Sequence, residues 1–228
     1  VGILDADVHG YSIPALMGLA PDGIPVRPTR LNDMILPPVG HDVKVISIGM
    51  FVDDQSTAVA WRGPMLQRTI SQFLTDVYFG DLDFLLLDLP PGTGDVAITV
   101  GQLLPHSDVL IVTTPQPAAA GVAIRAGMLA RQTGQRVIGV VENMTAMVGA
   151  DGVTVDLFGS GGAQAVAAGL ESVELGQVPL SIGLRVGGDT GIPVVVSDPG
   201  DPAAIAIAAL ARRIATAGES RAGKPLGL

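Results

Sequence analysis

Short apolar runs alternate along this chain with longer stretches whose apolar residues recur at helical spacing. Val1–Asp5, Val43–Met50, Phe84–Asp88, Asp108–Thr113, Arg136–Glu142 and Glu174–Val178 read as strands. The run Phe84–Leu87 has no polar alternation, the pattern of a parallel-sheet strand buried on both faces. Helical spacing marks Ser12–Leu19, a helix from Trp61 to about Phe79, Val96–Leu104, Ala118–Thr133, Ala163–Leu170 and Pro202–Ala217. Alternation of strand and helix at these lengths predicts an α/β fold, a mostly parallel sheet flanked by helices with right-handed crossovers. Met65, Ile70, Phe73, Leu74 and Val77 fall near one helical face and are expected to point into the core. Ser12 and Asp95 stand where they can cap the helices that follow. Pro21–Pro38 predicts a loop with a short extended piece around Ile24–Pro28. Asn143–Leu157 shows little periodicity, and Gly187–Pro193 reads as a turn-rich loop before Val194–Val196.

Composition narrows this picture. The 228 residues are 48% hydrophobic but only 4% aromatic, so the core must be Val, Ile, Leu and Ala. This length suits one domain, expected over residues 1–217, with a flexible tail at 218–228. The opening Val1-Gly2-Ile3-Leu4 already reads as the body of a strand, so a longer parent chain is expected. The net charge of −9, with no basic run, argues against a nucleic-acid surface. Mean hydropathy is +0.48, yet no apolar run approaches the roughly 20 residues needed to span a bilayer. A soluble, cytoplasmic protein without a membrane partner is expected. With no cysteine there is neither a disulfide framework nor a thiolate ligand for zinc or iron–sulfur. His9, His41 and His106 lie far apart in sequence and do not suggest a metal site.

Candidate chemistry gathers at predicted strand ends. Asp88 closes an apolar strand and is followed by Leu89-Pro90-Pro91-Gly92-Thr93-Gly94-Asp95. In open α/β sheets ligands bind at the carboxyl edge. An Asp there, followed by a glycine-containing turn, suits a magnesium-nucleotide site. Asp5-Ala6-Asp7 ends the first strand in the same way and could order a water or a magnesium ion. Phe158-Gly159-Ser160-Gly161-Gly162 is glycine-rich but lacks the Lys and Ser/Thr of a Walker motif, and it reads as a helix start or a mobile loop.

Five motifs occur in an order that resembles the Mrp-type iron–sulfur cluster carrier ATPases, in the MinD/ParA-like branch of P-loop NTPases. They are Leu4–Pro14, Trp61–Met65, Asp88–Asp95, Glu142-Asn143-Met144 and Gly187–Pro193. The resemblance spans Val1 to about Arg213. It implies a P-loop NTPase fold with a deviant Walker A motif, and a homodimer that sandwiches ATP and magnesium. It further implies that Asp7, beside Asp5, positions the attacking water and that Asp88 holds magnesium through water. Gly92 and Gly94 would sense the γ-phosphate, Asn143 would read the adenine edge, and Pro179 and Arg185 would border the base. The implied partners are a second copy of the chain and apo iron–sulfur proteins or an assembly scaffold.

Two departures from the family pattern bear on activity. The Walker A loop is not among the 228 residues, and by the resemblance it belongs upstream of Val1 with a first strand and helix. This stretch alone is therefore expected not to hydrolyse ATP. The Cys-x-x-Cys that many members carry after Glu-Asn-Met is replaced by Thr145-Ala146-Met147-Val148-Gly149, and thioethers are poor cluster ligands. A MinD/ParA-like switch that binds a protein partner without a cluster, or an inactive fragment, are the alternatives.

Overall fold

The computed structural model describes residues 1–8, 10–52, 63–149 and 153–218. The motif residues Trp61 and Arg62, His9 and the tail from 219 lie outside the described residues. The first half carries β1 (Gly2–Asp5), α1 (Ser12–Leu16), β2 (Thr29–Leu31), β3 (Met34–Leu36), β4 (Val39–Gly40), β5 (Val43–Ser47), α2 (Gly63–Asp76), β6 (Leu85–Asp88) and α3 (Asp95–Leu103). Then follow β7 (Asp108–Thr113), α4 (Pro117–Gln132), β8 (Arg136–Thr145), β9 (Met147–Val148), β10 (Thr154–Val155) and α5 (Gly162–Gly169). The last elements are β11 (Glu174–Pro179), α6 (Ile182–Thr190), α7 (Val194–Ser197) and α8 (Pro202–Gly218). Among the described residues no helix is long and apolar enough to cross a membrane.

These elements form two compact units. The first comprises Val1–Ser107, Leu129–Gln135 and Arg185–Pro193. Its sheet has the order β4-β5-β1-β6, with β1 parallel to both β5 and β6 and β4 antiparallel at the edge. Leu4, Val45 and Ile46 from the strands meet Leu66, Ile70 and Phe73 of α2 and Val96 and Val100 of α3 in one core. The predicted α2 stripe is confirmed except at Met65, which is 52% exposed. Each helical residue turns the chain by 100°, so the stripe runs Leu66, Ile70, Phe73, Leu74 and Met65 falls beside it. Val77 is buried just beyond the helix, bridged to Ile35.

The second unit comprises Asp108–Met128, Arg136–Leu184 and the chain from Val194. Its sheet has the order β11-β8-β7, all parallel. Ile111 and Val140 pack with Ala120 and Ala123 of α4 and Ala163 and Val166 of α5. On a separate cluster Val141 and Val178 meet Ala203 and Leu210 of α8. Small residues at these helix positions allow close approach to the strands, as the aromatic-poor composition foretold.

Several expectations need correction. The proline-rich segment 21–38 contains the β2–β3 hairpin, turned by Asn32 in the left-handed region at φ 54. The segment after Glu142 is not an open loop, because β8 runs on to Thr145 and β9 pairs antiparallel with β10. Gly187–Thr190 is the last turn of α6, supported by Arg185–Asp189 four residues apart at 2.7 Å, and the turn proper begins at Gly191 with φ 71. Leu85 and Leu87 pack into the core, but Leu86 on the opposite face of β6 is 49% exposed. Tyr11 and Gly94 occupy the cap positions, so Ser12 and Asp95 are instead the first residues of their helices. Asp95 still places its negative charge at the positive end of α3.

Candidate functional site

Parallel registry decides what stands at the carboxyl edge of the first unit's sheet. Asp5 on β1 lies opposite Asp88 on β6 and, on its other side, opposite Ser47 on β5. Beyond this row the Ala6 amide still donates to the Asp88 carbonyl at 2.9 Å. The chain then turns, with the amides of Gly10 and Tyr11 donating to the Asp7 carbonyl at 3.3 and 3.2 Å. Two adjacent strands thus deliver two carboxylates to one edge, and the turn after β1 adds a third at Asp7.

Their environments differ. Asp5 is fully buried and accepts from Ser47 Oγ at 2.9 Å and from the Asp7 amide at 3.1 Å. Burial pushes its carboxyl up; the hydrogen bonds from Ser47 and from the backbone of Asp7 and Ile13 oppose that rise. Asp88 is half-buried, and its carboxyl is raised to about 6, first by burial and then by the charges of Asp5 and Asp7. Asp7 is half-buried, and its carboxylate covers Gly10 so closely that a Cβ there would lie 2.5 Å from Oδ2.

Beside these acids, Gly92 takes φ 92, a conformation that side chains resist, and open space lies over both Gly92 and Gly94. Gly94 caps α3, whose first amides face this turn. A row of carboxylates next to an open, backbone-lined turn is the electrostatic setting for a cation bound with an anion. The donor set fits magnesium held through water. Among the described residues no three His, Asp or Glu side chains converge to grip a bare ion, and magnesium ordinarily keeps several waters.

The remaining expected site residues fall in two places. Asn143 and Pro179 belong to the second unit, on the paired strands β8 and β11, where Val178 is in register with Asn143 and Pro179 with Thr145. Asn143 Oδ1 accepts from the Met144 amide at 2.8 Å, and Met144 takes φ 57. Arg185 belongs to the first unit, on α6, and is paired to Asp189 on the surface. The structure therefore groups Asp5, Asp7, Asp88, Gly92 and Gly94 in one unit and Asn143 with Pro179 in the other.

Two participants carried little sequence signal. Ser47 is an ordinary strand-end serine until registry sets it against Asp5. Glu142 is buried, and its Oε2 accepts from the Ala163 amide at 2.8 Å, at the N-terminus of α5. An internal carboxylate thus occupies the place where the glycine-rich loop could have held a phosphate, and Phe158–Gly162 is a helix start, as expected.

Comparison with known proteins sharpens this picture. The MinD protein of Pyrococcus horikoshii, solved with Mg-ADP, aligns over 93% of this chain and 82% of its own with a TM-score of 0.65 at 20% identity. The fold is therefore that of the MinD/ParA class of P-loop NTPases. A nucleotide-binding protein of Archaeoglobus fulgidus, solved with ADP, is 34% identical over 83% of this chain and 73% of its own, with a TM-score of 0.68. The chain belongs to the ParA family described as NUBPL iron-transfer P-loop NTPases, which matches residues 1–215. A curated relative from Mycobacterium tuberculosis, named an iron-sulfur cluster carrier protein, is 51% identical across the whole chain. Another of that name, from Synechocystis, is 42% identical over 94% of the chain. The chain spans about 60% of the length of these relatives.

Proposed function

We propose that this chain is the switch-bearing part of an ATP-hydrolysing iron–sulfur cluster carrier that works as a nucleotide-switched homodimer. The observation that carries the reading is the in-register pair Asp5 and Asp88, with Asp7 on the following turn. Asp88 would hold magnesium through its water shell, where the ion would supply positive charge against the phosphates. Asp7 accepts a hydrogen bond from the attacking water and orients it toward the γ-phosphate; Asp5 completes the acidic row. The backbone at Gly92 and Gly94 senses the γ-phosphate, the Asn143 amide reads the adenine edge, and Pro179 and Arg185 border the base. ATP binding closes the dimer and hydrolysis relaxes the turns after β1 and β6.

The cluster is cargo. No cysteine exists among the 228 residues, so thiolate ligation draws on residues outside this stretch or on an apo iron–sulfur protein or assembly scaffold as partner. The compartment consistent with such clients is the cytoplasm.

The full-length protein tests the reading. Magnesium-dependent ATP hydrolysis is expected, and Asp7→Asn should lower kcat about 100-fold with ATP binding retained. Failure to bind ATP with magnesium overturns it. The missing cysteines favour one second reading, a MinD/ParA-like switch that docks a protein without a cluster. Anaerobic reconstitution decides between them: a brown, transferable cluster supports the carrier, whereas ATPase activity without any cluster supports the regulator.

A further inference from the structure

Asp5 has the wrong surroundings for a group that touches nucleotide. It is fully buried, one oxygen accepts from the Ser47 hydroxyl, the other from the Asp7 amide, and the Ile13 backbone also donates to it. Every one of these donors belongs to the chain itself. What the carboxylate can do from there is hold the backbone on which Asp7 sits.

Ser47 completes that hold. It is the last residue of β5 and fully buried, and its Oγ both donates to Asp5 Oδ2 at 2.9 Å and accepts from the Gly49 amide at 3.1 Å. A hydroxyl has a single hydrogen, and here the Gly49 amide directs a lone pair so that the hydrogen goes to Asp5. The same corner reaches the far end of the turn. A Cβ on Gly49 would lie 2.7 Å from Tyr11 Cβ, so Tyr11 rests directly on this backbone, and the Tyr11 amide donates to the Asp7 carbonyl. The segment Ser47–Gly49 therefore grips the Asp5–Tyr11 turn at both ends, with Asp7 between them.

We propose that Ser47 is a positioning residue for ATP hydrolysis, acting through Asp5 to fix the turn that carries Asp7, and that Asp5 shares this positioning role. The inference deepens the ATPase reading and rests on it. The competing account is that Ser47 only caps the short 3-10 turn Ile48–Phe51 through Gly49, in which case its loss affects stability and not the chemistry at Asp7.

The test uses the full-length protein with Ser47→Ala, Asp5→Asn and the double variant. Steady-state ATPase kinetics are measured alongside amide hydrogen exchange at Asp7. If Ser47 acts through Asp5, each single variant lowers kcat about tenfold, the scale of a lost hydrogen bond to a buried charge. KM for ATP stays within about twofold, because binding groups are untouched. The double variant is then no slower than the slower single variant, and Asp7 amide exchange accelerates in Ser47→Ala. A Ser47→Ala kcat within twofold of wild type, or losses that multiply in the double variant, overturns the proposal. If the wild type itself does not hydrolyse ATP, the functional reading fails, whatever Asp7 exchange shows in Ser47→Ala. Unchanged Asp7 exchange beside normal wild-type hydrolysis overturns the positioning alone.

Discussion

At Asp88, burial and two neighbouring charges leave a mark that can be read on a single side chain. Its carboxyl titrates near 6 in the folded protein against an ordinary value of 3.8. Between those values the folded state binds more protons than the unfolded chain, so stability rises as pH falls from 6 toward 4. Above 6 the buried charge is a standing cost. Asp88→Asn removes that cost. Without nucleotide or magnesium, its thermal midpoint at pH 7.5 should exceed that of wild type by an amount equivalent to about 1–3 kcal/mol. The gain should fade near pH 4, and calorimetry at both pH values checks it. Gly10 offers a second residue-scale test, because a methyl there meets the Asp7 carboxylate at 2.5 Å. Gly10→Ala should swing that carboxylate away and lower kcat about tenfold, with circular dichroism unchanged. The acidic residues themselves were legible in the sequence through the ordered motifs around them, since Asp at a strand exit serves as often as a helix cap. The burial of Asp5 was not, because it depends on Ser47, 42 residues away in the chain.

At the scale of elements, apolar periodicity located the main strands and helices to within a few residues. It failed where the deciding interaction is local turn chemistry or helix context. The β2–β3 hairpin rests on Asn32 in a left-handed conformation, amid prolines and charges that resemble a loop. Two glycines in α6 suggested a turn, yet the helix persists to Thr190, whose hydroxyl bonds back to the Val186 carbonyl at 2.9 Å. The junction of β8 and α5 depends on Glu142. Glu142→Ala should leave the buried Ala163 amide without its acceptor and cost about 1–3 kcal/mol, whereas Glu142→Gln, which keeps an oxygen in place, should cost less. Urea denaturation of the two variants distinguishes them; equal losses would assign the role to the negative charge at the N-terminus of α5 rather than to the hydrogen bond.

For the whole molecule, the proposed cycle predicts a change of association state. The full-length protein should be a monomer without nucleotide and a dimer with ATP and magnesium, measured by light scattering. In Asp7→Asn the dimer should persist for hours, because ATP stays intact, while the wild type reverts as ATP is consumed. A monomer under every condition would remove the dimer from the mechanism and leave the strand-end chemistry standing. These 228 residues contribute a net charge of −9, a contribution that acts against association and is relieved by salt and magnesium.

By itself the sequence determined the α/β class, the chain positions of the acidic strand ends, and the family, because these depend on local periodicity and on ordered motifs. It also excluded thiolate chemistry within these residues, since composition alone decides that. Tertiary structure decided which acids share an edge, because parallel registry between β1 and β6 sets Asp5 against Asp88 and no local pattern encodes it. It likewise decided that Asp5 is sealed beneath Ser47 while Asp7 and Asp88 are not. Burial is a property of the packed sheet, and the proposed division of roles between Asp5 and Asp7 rests on it.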